Sequence, residues 1–286
     1  MRTLVCLLIL LPFVTPELCH AQGAGSAAES FVAQGFRIST QIYDISRMPA
    51  DGDGQVISSS LTLCHNGRVY DYVSMADELV IYDPVEHQFL VLNQSRGLST
   101  VITFDEIRHH METRVRRTEE YLQEMAESGD PKAATEAASI RFQLQPEFRE
   151  TFDPMKGTLI LTSSEMTYRV ETRKWPDAVQ VDRYLTYRDW AAKLNSVLHP
   201  ENLFPEPRLA VNEALRRQKQ RMPVTVELDR RPNAASRLRA EHQITVGLAD
   251  DDRTRIARWE ELQKSGRLEK VPLRRYQQAN LISKSR

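Results

Sequence analysis

Between Gln55 and Thr103 short apolar runs follow one another too quickly for any helix to fit between them. The runs at 55–64 and 69–73 flank His65-Asn66-Gly67-Arg68, those at 78–83 and 88–93 flank a turn opened by Pro84, and 97–103 completes the series. Asn-Gly suits a tight hairpin because both residues accept positive φ. Parallel strands need a long crossover, so neighbours this close in sequence pair antiparallel. The stretch predicts a meander.

Two of these strands do not alternate. Leu79, Val80, Ile81 and Tyr82 are consecutive, as are Phe89, Leu90, Val91 and Leu92. Successive side chains leave opposite faces of a strand, so apolar groups stand on both faces and both need cover. Helices or a ligand would supply it. Leu79, Val80, Ile81, Tyr82, Leu90 and Leu92 are the candidate lining of a ligand site.

The helices announce themselves by their caps. Thr103-Phe-Asp-Glu106 is a capping box, in which hydroxyl and carboxylate each accept from a free backbone donor. It opens a helix with an apolar stripe at Ile107, Met111, Val115, Leu122 and Met125. Asp130-Pro131 starts another as N-cap and first-turn proline, running to about Ile140. A second β-region begins at Gly157, with strands at 158–162, 166–171 and 178–185, followed by a helix over 187–198. A basic helix at 208–220, strands at 224–228 and 240–248, and a helix after Asp250-Asp251-Asp252 complete the series. The three aspartates suit a helix N-terminus through its macrodipole. The expected fold is α+β: an extensive curved antiparallel sheet of about eleven strands, covered by amphipathic helices.

At the start of the chain, Met1-Arg2, an apolar stretch over 4–14 and Cys19-His20-Ala21 read as a secretory signal. It is too short, and too interrupted by Pro12, to span a bilayer. The expected organisation is a signal over 1–21 and a flexible leader over 22–30. A single sheet-and-helix domain follows over 31–250, with two sheet-then-helix halves meeting near 150. A basic helix and tail occupy 251–286. The location implied is exported, periplasmic or secreted, and not membrane-spanning. Of the three cysteines, Cys64 alone would survive cleavage, so an intramolecular disulfide is excluded. Its neighbours Leu61, Leu63 and Val69 make it a buried strand thiol.

Charge is unevenly spread. Residues 29–106 carry eleven Asp/Glu against four Arg/Lys, 208–239 nine basic against three acidic, and 253–286 ten against three. The basic segments would balance the acidic sheet, or offer a surface to anionic membrane or cell-wall components. Nucleic acid is not expected, because no stacking-aromatic pattern runs through them.

Few motifs carry chemistry. Glu106-Ile-Arg-His109 has a metal-ligand spacing, but no second copy exists and Glu106 already caps a helix. Asp51-Gly-Asp-Gly54 lacks the later ligands of a calcium loop. Asn93-Gln-Ser95 is a glycosylation sequon. A pairing such as His65 with Asp71 remains open as an acid/base couple. No nucleophile elbow, phosphate loop, zinc helix or dinucleotide fingerprint is present. Neither cofactor, metal nor catalytic residue is assigned.

The stretch Gly67-Arg-Val-Tyr-Asp-Tyr-Val through Glu78-Leu-Val-Ile-Tyr-Asp-Pro84 and Gln88-Phe-Leu-Val-Leu92 resembles proteins of the periplasmic lipoprotein-carrier (LolA/LolB-like) superfamily. The resemblance covers about thirty residues and implies a half-barrel sheet whose concave apolar face holds acyl chains. The long helix after the meander, the larger second half and the basic C-terminal extension depart from the pattern. The resemblance makes a lipid or a lipoprotein acyl chain the first expected partner of a non-catalytic envelope protein. The alternatives are an interaction module using its basic C-terminal face, and an exported hydrolase with an unmarked site.

Overall fold

The structure, a computed structural model, describes residues 35–46, 54–127, 130–230 and 236–284. The expected signal, the leader and most of the Asp51–Gly54 turn lie outside them. All twelve described strands join one open, curved sheet in the order β12-β6-β5-β4-β3-β2-β1-β11-β10-β9-β8-β7. β1 (Phe36–Asp44) begins a meander through β2 (Gln55–His65), β3 (Arg68–Val73), β4 (Glu78–Asp83), β5 (Gln88–Asn93) and β6 (Leu98–Thr103). The hairpin expected at Asn66-Gly67 is there, with φ of 48° and 78°. Helices α1 (Phe104–Glu127) and α2 (Pro131–Leu144) follow β6 and lead the chain to the far edge. There β7 (Arg149–Asp153), β8 (Thr158–Thr162) and β9 (Met166–Lys174) run inward. After α3 (Ala178–Leu198) and α4 (Glu206–Arg217), β10 (Arg221–Arg230) and β11 (Ser236–Val246) return to the middle. β11 then zips against β1 from Phe36↔Val246 to Asp44↔Leu238, uniting the two meanders. Two-residue β12 (Glu269–Lys270) pairs parallel with β6.

Gly35 permits the entry into β1. At φ 65° it lies so close to Cys64 that a Cβ would stand 2.3 Å from that carbonyl oxygen. Only glycine fits there.

Local caps behave as the sequence predicts. Thr103 N–H donates to Glu106 Oε2 at 2.7 Å and Glu106 N–H to Thr103 Oγ1 at 3.1 Å. Asp130 accepts from Lys132 N–H. Residues 178–185, expected as a strand, are instead the first two turns of α3. The alternation of Val179 and Val181 suggests a strand, but Val179 is exposed. Asp177 caps the helix by accepting from Val179 and Gln180 N–H, and Val181, Tyr184 and Leu185 then share its buried side at helical spacing. Four elements had no named counterpart in the sequence reading: β1, β7, β12 and the C-terminal helix α6 (Leu273–Lys284).

Helices cover both faces of the sheet. The inner face carries Phe36, Ile38, Val91, Ile102 and Val170, packed under Ile107 of α1, Tyr184 and Leu185 of α3, and Val211 and Leu215 of α4. The outer face carries Leu63, Tyr70, Leu79, Ile81, Leu90 and Leu92, covered by Ile256, Trp259 and Leu262 of α5 (Asp250–Lys264). The first turn of α5 is tied down by Asp252, which is 1 % exposed, accepts from Ala249 N–H and meets Arg37 at 2.9 Å. The distal half of α1 leaves the sheet, and its Leu122 and Met125 pack with Ala137 of α2.

Candidate functional site

The consecutive apolar residues of β4 and β5 divide between these two layers. Leu79, Ile81, Leu90 and Leu92 face α5, where Trp259 lies 6.3 Å from the Tyr70 ring and 5.8 Å from the Tyr72 ring. Tyr82 faces inward in a ring cluster with Phe89, Phe104 and Tyr187, and Val80 sits beside that core. Phe104 stacks on Trp190 at 3.9 Å. The six residues therefore occupy opposite faces, and helices cover each group. None lines either of the two surface grooves described below.

The less covered apolar residues lie elsewhere on the inner face. Directly paired residues of an antiparallel ladder share a face, so the register places Val226, Ala240, Ile42 and Ser58 in one row across β10, β11, β1 and β2. Leu228 and Leu238 pair in the next row. Val226 and Leu228 border the inner core, which fixes the whole row as inward-facing. All six are only partly buried, whereas Met222 at the start of β10 is fully buried. The cover by α3 and α4 thus stops partway along β10, leaving an apolar shelf.

A polar step marks where the cover begins. His242 and Thr40, paired across β11 and β1, lie one row deeper, with Nδ1 2.9 Å from Oγ1. Burial, then the charges of Arg188 and Arg208, pull the His242 pKa down to about 3, so the ring is neutral. Arg188 follows Tyr184 by one turn of α3, on the side that meets Phe36. Its neighbour Tyr187 donates to Asp71 Oδ2 at 2.6 Å, while Thr62 donates to Oδ1 at 3.0 Å. Burial and Asp71 hold the Tyr187 phenol well above its ordinary pKa. Burial and the nearby Arg188 charge lower the pKa of Arg208. Arg188 Nε and Arg208 Nη1 are buried without a hydrogen-bond acceptor among the described residues.

Two surface grooves also occur among the described residues. One of about 370 Å³ runs between α1, the end of α3 and α6, lined by His110, Arg114, Arg117 and Ser196. Arg114 there spends its donors on the Ser196 side chain and the Asn202 carbonyl, and lies over the Phe204 ring. The other, about 490 Å³, lies beside α5 and the turns after β2 and β4. Within it Arg68 meets Asp83 at 2.6 Å, and Tyr70 donates to Glu260 at 2.7 Å.

The remaining sequence candidates disperse. His65 and Asp71 lie on opposite faces, since Asp71 pairs with inward Thr62 and His65 is one residue beyond inward Cys64. Asn93 is fully buried and donates to the Ala76 carbonyl, so the sequon is no open acceptor. Cys64 borders the inner core, and burial pushes its thiol pKa up. Among the described residues no three His, Cys, Asp or Glu side chains group to hold a metal ion. No described helix is long and apolar enough to cross a membrane. Much of the basic 208–239 segment is occupied within the fold: Arg216 meets Asp189 at 2.5 Å, Arg217 pairs with Glu150 and Arg239 meets Glu241 at 3.0 Å.

Sequence reasoning missed Arg188, Arg208 and His242. The lone signal was a histidine in an otherwise apolar-alternating strand, which only the β1–β11 register connects to the helices. Against known proteins, no family model matches the chain and no curated protein is detectably similar in sequence.

Proposed function

We propose that the protein is a non-catalytic, exported envelope protein that binds an amphiphilic lipid through its acyl chain. The chain lies along the shelf of Val226, Leu228, Leu238, Ala240 and Ile42. One observation carries this reading: a contiguous apolar row that stays only partly buried at the end of an inner face packed by helices. Apolar area withdrawn from water contributes roughly 25 cal/mol per Å², so a chain laid over several such side chains gains several kcal/mol. The resemblance of residues 67–92 to lipoprotein carriers agrees with such a ligand, and the signal-like residues 1–21 agree with export. A hydrolytic reading has less support. His242, the histidine whose pKa is shifted among those described, meets Thr40 and two cations rather than a carboxylate.

The test is native mass spectrometry of the protein purified from an envelope fraction, with organic extraction of bound material. The expected result is a reproducible lipid adduct of about one per chain. A clean apo mass with no uptake of added lipid contradicts the reading.

A further inference from the structure

Helix α1 gathers cations along one stripe. His110, Arg114, Arg117 and Tyr121 recur at i, i+4, i+7 and i+11, the spacing that keeps side chains on one face of a helix. All four line the groove of about 370 Å³ that α1 forms with Ser196 at the end of α3 and Gln277 of α6. α1 also carries seven Asp and Glu, yet among the described residues no carboxylate lines this groove. We propose that the groove binds an anionic oligosaccharide, with Arg117 and His110 meeting its acidic groups and Tyr121 lying against a sugar ring.

The groups of the stripe differ in what they have left to offer. A helix end leaves carbonyls without partners, and at the end of α3 the fold supplies them. Gln277 Nε2 donates to the Val197 carbonyl at 2.6 Å, while Arg114 donates to the Ser196 side chain and to the Asn202 carbonyl. Glu206 and Glu201 stand close enough to favour the Arg114 charge without lining the groove. Arg114 therefore builds the wall. Arg117 is different: it is exposed, and it has neither an ion pair nor a hydrogen-bond acceptor among the described residues. His110, also exposed, stands two turns away on the same face. A guanidinium with its whole fork free matches two oxygens of one acidic group.

Spacing decides between a small anion and a chain of sugars. His110 and Arg117 are seven residues apart, about 10 Å along the axis at roughly 1.5 Å per residue, too far for one phosphate to meet both. Tyr121, 45 % exposed, carries the line one turn further. A ligand that reaches all three is elongated. Hydroxyls of Thr113 and Thr118 lie along the same lining, and the Thr118 hydroxyl, which donates to the Arg114 carbonyl, keeps its oxygen free to accept. Such groups suit the hydroxyls of a sugar. A nucleic-acid strand would want a row of stacking rings, whereas Tyr121 is the one ring of the lining besides His110. The chemistry is that of a glycan bearing carboxylates or sulfates.

The experiment is calorimetric titration of the full chain with tetragalacturonate, a chondroitin sulfate tetrasaccharide, uncharged cellotetraose and monomeric galacturonate. The proposal expects at least one acidic tetrasaccharide to bind about tenfold or more tightly than both cellotetraose and the monomer. Arg117→Gln should remove most of that preference, and Arg117→Lys, which keeps the charge, should retain part of it. Arg116, an exposed cation of the same helix outside the groove, is the control, and Arg116→Gln should leave binding unchanged. Equal losses in Arg116→Gln and Arg117→Gln would mean a diffuse charge effect and overturn the site. Binding of none of the probes, or equal affinity for all, overturns the proposal, as does a monomer that binds as tightly as the tetrasaccharides. The lipid-binding reading survives each of these results, because no residue of the shelf lines the groove.

Discussion

Tyr187 donates its phenol to Asp71 at 2.6 Å, joining α3 to β3 across 116 residues of sequence. The contact holds the helix over the inner face at the point where the cover ends. Tyr187→Phe removes the donor and leaves a partly buried carboxylate with Thr62 as its side-chain donor. The expected cost is about 1–3 kcal/mol of unfolding free energy, read by urea denaturation. With Asp71 already changed to Asn, the same substitution should cost less, because the charge that needed the phenol is gone.

The stability of the fold should fall on mild acidification. Folded His242 has its pKa pulled down to about 3 by burial and by Arg188 and Arg208, against about 6.5 unfolded. Between those values the unfolded chain binds the extra proton, so stability rises with pH across that window and is fully present above it. The slope for this one group is about 1.4 kcal/mol per pH unit. Denaturation midpoints from pH 7 to 4 should show it, and His242→Gln should flatten the profile by that amount.

Trp259 holds α5 against the outer face through Tyr70 and Tyr72. Trp259→Ala should cost about 3–5 kcal/mol and hasten proteolysis within α5. Lipid uptake should survive in the fraction that remains folded, because the shelf lies on the opposite face.

Tyr276 anchors α6 by donating to Glu78 at 2.6 Å, with both residues buried. Tyr276→Phe leaves that carboxylate without this donor, and a loss of about 1–3 kcal/mol is expected. The measurement is hydrogen exchange, which should quicken in α6 and at the β6 edge before it does in the central strands.

The meander and the helix caps were legible in the sequence because their causes are local. Asn66-Gly67 needs positive φ, and Thr103 and Glu106 satisfy each other within one turn. The need to cover both faces of β4 and β5 was legible too, from Leu79 to Tyr82 in unbroken series. The helix opened by the Thr103 cap was a natural cover for one face, and Phe104 and Ile107 pack there. What covered the other face was not legible, because Trp259 reaches it from a distant part of the chain and no local period encodes that docking. The valines of 178–185 show the converse, since a β-like alternation yielded to the Asp177 cap and to a helical buried side. The shelf was illegible for a third reason. Val226, Ala240 and Ile42 form one row only through the pairing of β1 with β11, nearly two hundred residues apart in sequence.

The central claim concerns where an acyl chain lies, and a photoreactive fatty acid with a diazirine near the chain end tests it most directly. After irradiation, peptide mapping should find the label on β10, β11 and β1, around Val226, Leu228, Leu238, Ala240 and Ile42, with excess oleate competing it away. Label confined to Leu79, Ile81, Leu90 and Leu92 beneath α5, or to the groove between α1 and α6, would contradict the account.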